Sequence, residues 1–274
     1  MTLIAQITDL HIRPQGVACY RVSETNLLAD RAVRALKALD PAPDAVVVTG
    51  DLTERNDPRE YRLVRRLLKR LSCPVYVMPG NHDRTDAMRE HLSDFPLISK
   101  GSKEKVYYAA EVGELRLIAL DSSIPGFANG ELGKEQLDWL DTELAQHPRP
   151  TMIAVHHPPK AVGIRHMDDI ALSDGAAFGK VISKYRHVER VICGHVHRPI
   201  ISAFAGTVMT LCPGTAHQVV LDLNDSAPAE FVMEPPAYFL HHFTQEAGMV
   251  THLAYVEAYP GPFPFWADEG VSWP

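Results

Sequence analysis

Five short segments of the chain carry residues that can bind metal, and each closes an apolar run. They are Asp9-Leu10-His11, Gly50-Asp51, Gly80-Asn81-His82-Asp83, His156-His157 and Gly194-His195-Val196-His197. One residue separates Asp9 from His11, and one separates His195 from His197. In extended backbone, residues i and i+2 project to the same side, so each pair could grip one ion. Asp51 has two carboxylate oxygens and could bridge two ions. Asn81 offers a neutral carbonyl oxygen and His156 an imidazole. Such a mixed nitrogen and oxygen set suits Fe, Mn, Co or Zn better than Ca or Mg. Two divalent ions roughly 3.5–4 Å apart can acidify a shared water and clamp both oxygens of an in-line displacement at phosphorus.

The elements that would position these residues are legible in the hydrophobic pattern. Ala45-Val46-Val47-Val48-Thr49 is a β-branched run of the kind found in parallel strands covered on both faces. It ends in Gly50-Asp51 and so delivers Asp51 to the C-terminal edge of a sheet, where open α/β folds place ligands. Residues 3–7, 74–78, 151–155 and 188–193 read as further strands ahead of Asp9, Asn81, His156 and His195. Residues 105–110 and 115–121 read as a pair joined by Gly113-Glu114. Helices are expected after Ser23, which can cap one, and after Asp57-Pro58-Arg59-Glu60, a capping box with proline in the first turn. Others are expected near residues 86–92, around Leu137, Leu140 and Leu144, and over 176–185. From Ile200 onward the pattern becomes short alternating strands: 200–204, 208–211, 217–223, 230–233, 238–244 and 250–255.

Bulk properties narrow the function classes. With 274 residues and 46% hydrophobic content, the chain can build one large core. A formal net charge of -7 argues against a nucleic-acid polymer as partner. It leaves small anionic substrates open, because bound ions can dominate the local field. No apolar run approaches the roughly 20 residues that span a bilayer, so no membrane partner is expected. The N-terminus reads as a strand rather than a signal peptide, and the expected location is cytoplasmic. Cys19, Cys73, Cys193 and Cys212 form no CxxC pair and read as reduced packing residues.

Taken in order, the five segments resemble the signature of the calcineurin-like metallophosphoesterases. Tyr20, Asn26, Pro79 to Asp83, His156-His157-Pro158-Pro159 and Pro213 to Gln218 resemble the class III cyclic nucleotide phosphodiesterases, and within them the bacterial glycerophosphodiesterase branch. The resemblance implies a four-layer αββα sandwich with a small C-terminal β-rich extension. We divide it as a catalytic domain over 1–220 and C-terminal strands with an aromatic tail over 221–274. It assigns Asp9, His11, Asp51 and His197 to one metal, and Asp51, Asn81, His156 and His195 to the other. Asn81, His82 and His217 would lie on the substrate side, with His82 stabilising charge or protonating the leaving alkoxide. The implied reaction is hydrolysis of small phosphodiesters, such as glycerophosphodiesters or cyclic nucleotides, by attack of a metal-activated hydroxide on phosphorus. A phosphomonoesterase, a nuclease of the same superfamily and an inactive metal-binding scaffold are the alternatives. Two subfamilies lose ground. Protein phosphatases carry Gly-Asp-x-Val-Asp-Arg-Gly, whereas here Leu52-Thr53-Glu54-Arg55-Asn56 follows Asp51. Purple acid phosphatases place a metal-binding tyrosine where Glu54 stands.

The remaining histidines are read without a metal. His157 points away from His156; His91, His147, His166 and His187 lie on the surface; His241, His242 and His252 sit in core or surface strand positions. Asp83 supports its loop. The tail aromatics Phe263, Phe265, Trp266 and Trp273 are expected to pack against the core or a second subunit, making the protein a dimer or higher homo-oligomer.

Overall fold

The computed structural model describes residues 1–263. Two mixed sheets carry the fold. The first has the order β13-β12-β1-β2-β3. Its members are β1 (Thr2–Ile7), β2 (Ala45–Thr49), β3 (Val75–Met78), β12 (Ala237–Thr244) and β13 (Gly248–Tyr255). The second has the order β4-β5-β6-β7-β9-β8. It contains β4 (Tyr108–Val112), β5 (Leu115–Leu120), β6 (Thr151–Val155), β7 (Val188–Cys193), β8 (Ile200–Phe204) and β9 (Thr207–Leu211). Strands β5, β6, β7 and β9 run parallel, with antiparallel β4 and β8 at the edges. This is the αββα sandwich expected from the sequence.

Burial explains the layering. Every residue of β2, β5 and β6 is buried, as strands covered on both faces require. Leu115, Leu117 and Ala119 of β5 share a core cluster with Ile4, Ala45 and Val47, which lie on the same face of the first sheet as Gln6. Ile118 and Leu120 turn the other way, against Leu140 and Leu144 of α4 (Gly133–Gln146) and Phe178 of α6 (Gly175–Ile182). Helices α1 (Thr25–Lys37) and α2 (Pro58–Leu68) cover the outer face of the first sheet through Ala32, Val33, Tyr61 and Val64. Gln6 ties the two sheets together. Its amide donates to Thr49 Oγ1 at 2.9 Å and to the Cys193 carbonyl at 3.0 Å.

The capping box at α2 forms as its sequence dictates: Asp57 accepts from the Arg59 amide at 2.8 Å, and Glu60 accepts from the Asp57 amide at 3.3 Å. Ser23 does not cap α1. The helix starts two residues later, from Glu24, because the Ser23 carbonyl instead accepts the Cys19 amide and closes a tight loop. Two late strands are shorter than expected. Only Gln218–Val219 (β10) and Phe231–Val232 (β11) pair, because Asp222 accepts from the Asn224 amide and turns the chain. All four cysteines are free, and Cys19, Cys193 and Cys212 are buried. In the tail, Phe263 is exposed. The expectations for Phe265, Trp266 and Trp273 lie outside the described residues. Among the described residues, no helix is long and apolar enough to cross a membrane.

Candidate metal centre

The C-terminal ends of β1, β2, β3, β6 and β7 converge at one edge of the sandwich. Backbone bonds sew the loops together: the Asp9 amide donates to Gly50, the His11 amide to Asp51, and the Gly194 amide to His156. The loops are not in the extended backbone that the i, i+2 spacing predicts. Asp9, His11, Asp51, His195 and His197 all have left-handed backbone, with φ between 43° and 69°. Strand pairing stops at Ile7 and Cys193, and the chain folds back on itself to bring both members of each pair inward. Each such residue costs on the order of 1–2 kcal/mol, which the surrounding bonds must offset. Gly50 and Gly80 are needed for the approach. A Cβ on Gly50 would overlap the His156 ring, and one on Gly80 would overlap the Asp51 carboxylate.

Asp9, His11, Asp51 and His197 form one buried group whose ligand atoms all lie within 4.8 Å of one another. Asp9 Oδ1 is 3.2 Å from His197 Nε2, and Asp51 Oδ2 is 3.7 Å from His11 Nε2. On the other side, His156 Nε2 lies 3.3 Å from Asp51 Oδ2 and 3.2 Å from Asn81 Oδ1. The His195 ring is 5.2 Å from that of His156, and its Nε2 is buried with no partner. Asp51 therefore stands between the two sets.

Hydrogen-bond accounting shows what these rings are built for. His11 Nδ1 faces Glu54 Oε2 at 2.8 Å, His197 Nδ1 the His217 carbonyl at 3.0 Å, and His156 Nδ1 the Thr49 carbonyl at 2.7 Å. All three partners only accept, so each Nδ1 carries a proton and each Nε2 is the ring atom turned toward the others. Those Nε2 atoms point at one another or at carboxylate and amide oxygens. A set of buried donors facing one another in this way fits a cation. Burial and neighbouring charges shift the acidities of the set. Burial pushes the Asp9 carboxyl up, but His197 outweighs it and holds it down at about 2. Burial pushes His156 down, but Asp51 and Asp9 raise it to about 9. His195 is driven well below its ordinary value by burial and by its neighbouring histidines.

His82 stands beside this set, not in it. Its amide donates to Asp51 Oδ1 at 2.9 Å, its Nδ1 donates to the Glu54 carbonyl at 3.0 Å, and its ring packs edge-on to His11. Burial lowers its pKa, but Asp51 and the Glu54 carbonyl raise it above the usual value. His157 has both ring nitrogens occupied, by Ser122 Oγ at 2.7 Å and the Ala128 carbonyl at 3.0 Å. Asp83 accepts from the amides of Leu52, Thr53 and Gly80 and locks the two ligand loops together. Burial, aided by the charge of Asp51, pushes its pKa up to about 6.

The centre opens into a cleft of about 530 Å³. Tyr20 comes from the loop at 16–23, and His166, Met167 and Ile170 from the loop at 163–173; Val219, Glu230 and Phe231 complete the wall. His166 was expected on the surface. It lines the cleft because the short helix α5 (Arg165–Asp168) turns it inward, with Nδ1 buried and unpartnered. His217 packs its ring against Tyr20 and Phe231 at 5.3 Å. Glu54, in sequence a departure from the purple acid phosphatase pattern, turns inward to His11 Nδ1. A carboxylate three residues beyond a bridging aspartate was the signal available.

The family model described as calcineurin-like phosphoesterase matches residues 2–199. The chain belongs to the calcineurin-like phosphoesterases. This phosphoesterase is 34% identical to a probable glycerophosphodiester phosphodiesterase of Arcobacter nitrofigilis, over 98% of each chain. It is 37% identical to a probable cyclic nucleotide phosphodiesterase of Synechococcus sp., over 80% of this chain and 82% of that one. Among solved structures, a dimetal phosphatase from Danio rerio superposes with a TM-score of 0.62 at 16% identity, covering 93% of this chain and 99% of that one. The last likeness shows the fold alone. The buried His and Asp clusters are consistent with a dimetal site.

Proposed function

We propose that this phosphoesterase hydrolyses small organic phosphodiesters, with glycerophosphodiesters as first candidates and cyclic nucleotides as second. Asp9, His11, Asp51 and His197 would hold one divalent ion, and Asp51, Asn81, His156 and His195 the other, drawn from Fe, Mn, Co or Zn. The observation that carries this reading is the set of histidine Nε2 atoms, turned inward by acceptors at Nδ1 and aimed at one another and at Asp51. When bound, such ions acidify water and neutralise phosphate oxygens. The chain's own residues do the rest. Asn81 and His217 border the phosphate position. His82 points its Nε2 into the cleft, holds a proton more readily than an ordinary histidine, and gives it to the departing alkoxide.

A diester is favoured over a monoester by the cleft wall. Among its lining residues there is no lysine or arginine, and outside the ligand set Glu230 is the charged one. A monoester dianion would find no lysine or arginine there. A diester carries one charge and a second organic group, which Tyr20, Met167, Ile170 and Phe231 can cover. Turnover of bis(p-nitrophenyl) phosphate against p-nitrophenyl phosphate, with and without Mn²⁺, tests this. Metal-dependent preference for the diester is expected; preference for the monoester would overturn the reading.

We also propose assembly into a homo-oligomer through residues after 220. Among the described residues, strand β13 is a sheet edge paired to β12 alone, and it exposes Val250, Leu253 and Tyr255. Unprotected apolar edges invite pairing. A monomeric mass by light scattering at micromolar concentration would refute this.

A further inference from the structure

We propose that Glu54 is a positioning residue for two rings at once: its carboxylate orients His11 and its carbonyl oxygen orients His82. The inference rests on the metal reading above and adds a residue to it. Glu54 lies between the two loops it would control. Its amide donates to the Ile12 carbonyl at 3.2 Å, which fixes it beside the loop after β1. Its side chain is 8% exposed, so the carboxylate has little water to satisfy it. Oε2 instead takes the His11 Nδ1 proton at 2.8 Å, while the main-chain oxygen takes the His82 Nδ1 proton at 3.0 Å. Both rings are thereby held as the same tautomer, with Nε2 free.

Four rings around the cleft have their Nδ1 fixed this way, and three of the acceptors are neutral carbonyls: Thr49, His217 and Glu54 itself. His11 alone is hydrogen-bonded by a charged group, although the same Oε2 lies 3.6 Å from His82 Nδ1. A carboxylate behind a ligating histidine makes that ligand more basic and holds its plane, and losing such a partner typically costs 10–100-fold in metal affinity. Glu54 cannot also bind the same ion directly. Its oxygen occupies Nδ1, whereas His11 Nε2 is the atom near Asp51 and His197. The bond has one further consequence. Deleting the side chain frees His11 but leaves the bond to His82, because that bond uses the main chain.

The test compares wild type, E54Q and E54A. Calorimetric titration with Mn²⁺ reads each ion, and ¹⁵N NMR of the metal-free protein reads the histidine tautomers. Wild type is expected to bind two ions, with His11 protonated on Nδ1. E54A should weaken one ion 10–100-fold and the other less, and His11 should become a mixture of tautomers while His82 does not change. E54Q keeps an acceptor without the charge and should fall between the two. Thermal melting of the metal-free variants controls for folding, and if E54A does not fold, E54Q decides. Wild-type affinity in E54Q, or an equal loss of both ions with an unchanged His11 tautomer, would overturn the role of Glu54. A wild-type protein that binds no ion would overturn the metal reading as well, whereas two tight ions in wild type and E54A alike would overturn this inference alone.

Discussion

The Nε2 atoms of His11 and His197 stand 3.1 Å apart, and neither ring can rotate away without breaking the bond at its Nδ1. Held face to face in a buried site, these two nitrogens can share at most one proton. A cation beside them would be bonded by both, so metal should stabilise the folded chain and not the unfolded one. At a free metal concentration 100 times Kd, one site contributes about 2.7 kcal/mol. For a chain of this size that is a rise in Tm of roughly 5–10 °C. Differential scanning calorimetry with Mn²⁺ and with chelator measures it. D51A, which removes the oxygens shared by both sets, should abolish the rise and the activity together. An unchanged Tm in wild type would mean that the rings are not a metal site.

The role of His82 is separable from metal binding. H82A should keep both ions, because His82 touches Asp51 only through its main-chain amide. It should lower kcat by about 10²–10⁴-fold, the usual worth of a positioned proton donor. The loss should be greater for alkoxide leaving groups than for p-nitrophenolate, which needs little protonation. Equal losses on both would leave electrostatic stabilisation and remove proton transfer. Loss of metal from the variant would make His82 a ligand instead.

How much of this was legible in the sequence depends on the range of the interaction. Strands β2, β6 and β7 were readable to the residue, because a buried parallel strand is a local run of apolar side chains. The α2 start was equally local, written in Asp57, Pro58 and Glu60. The left-handed backbone of Asp9 and His195 was not readable, since it is imposed by Gly50 and His156 from other strands. The same holds for Glu54 and His11, 43 positions apart, and for the short β10, where Asp222 competes with strand pairing by bonding its own backbone. The candidate ligand residues stand out by type and order. The acceptors that orient them, two of them main-chain carbonyls, carry no mark in a sequence.

Asp83 shows how the ligand loops are held. Its carboxylate accepts three buried amides, those of Leu52, Thr53 and Gly80, and also the hydroxyls of Thr53 at 3.0 Å and Tyr61 at 3.3 Å. D83A would leave these donors unsatisfied, each at about 1–3 kcal/mol if water cannot enter. A destabilisation of ~3 kcal/mol or more is expected in urea unfolding. Asp51 and Asn81 flank the amides concerned, so D83A should also weaken metal binding. A loss below 1 kcal/mol with metal affinity intact would show that the loops hold themselves.

The last prediction concerns acid sensitivity and a histidine far from the substrate. His241 is fully buried on β12, where Nε2 donates to Gln6 Oε1 at 3.0 Å and Nδ1 accepts from Thr251 Oγ1 at 2.9 Å. The ring is satisfied as the neutral form. Burial, with the charge of Arg190 behind it, lowers its pKa from 6.5 to about 3. The unfolded chain therefore binds a proton here below pH 6.5, while the folded chain does not until about pH 3. The stability that follows is fully present above pH 6.5 and is lost as pH falls, by up to about 1.4 kcal/mol per pH unit across that window. Gln6 joins this ring to Thr49 and Cys193, so protonation would disturb the link between the two sheets. H241Q can keep a donor toward Gln6 but cannot titrate. Its urea-unfolding free energy should fall less steeply than that of wild type between pH 6 and pH 4, both measured metal-free because metal binding is itself pH-dependent. Parallel slopes for the two proteins would show that His241 does not set the acid limit.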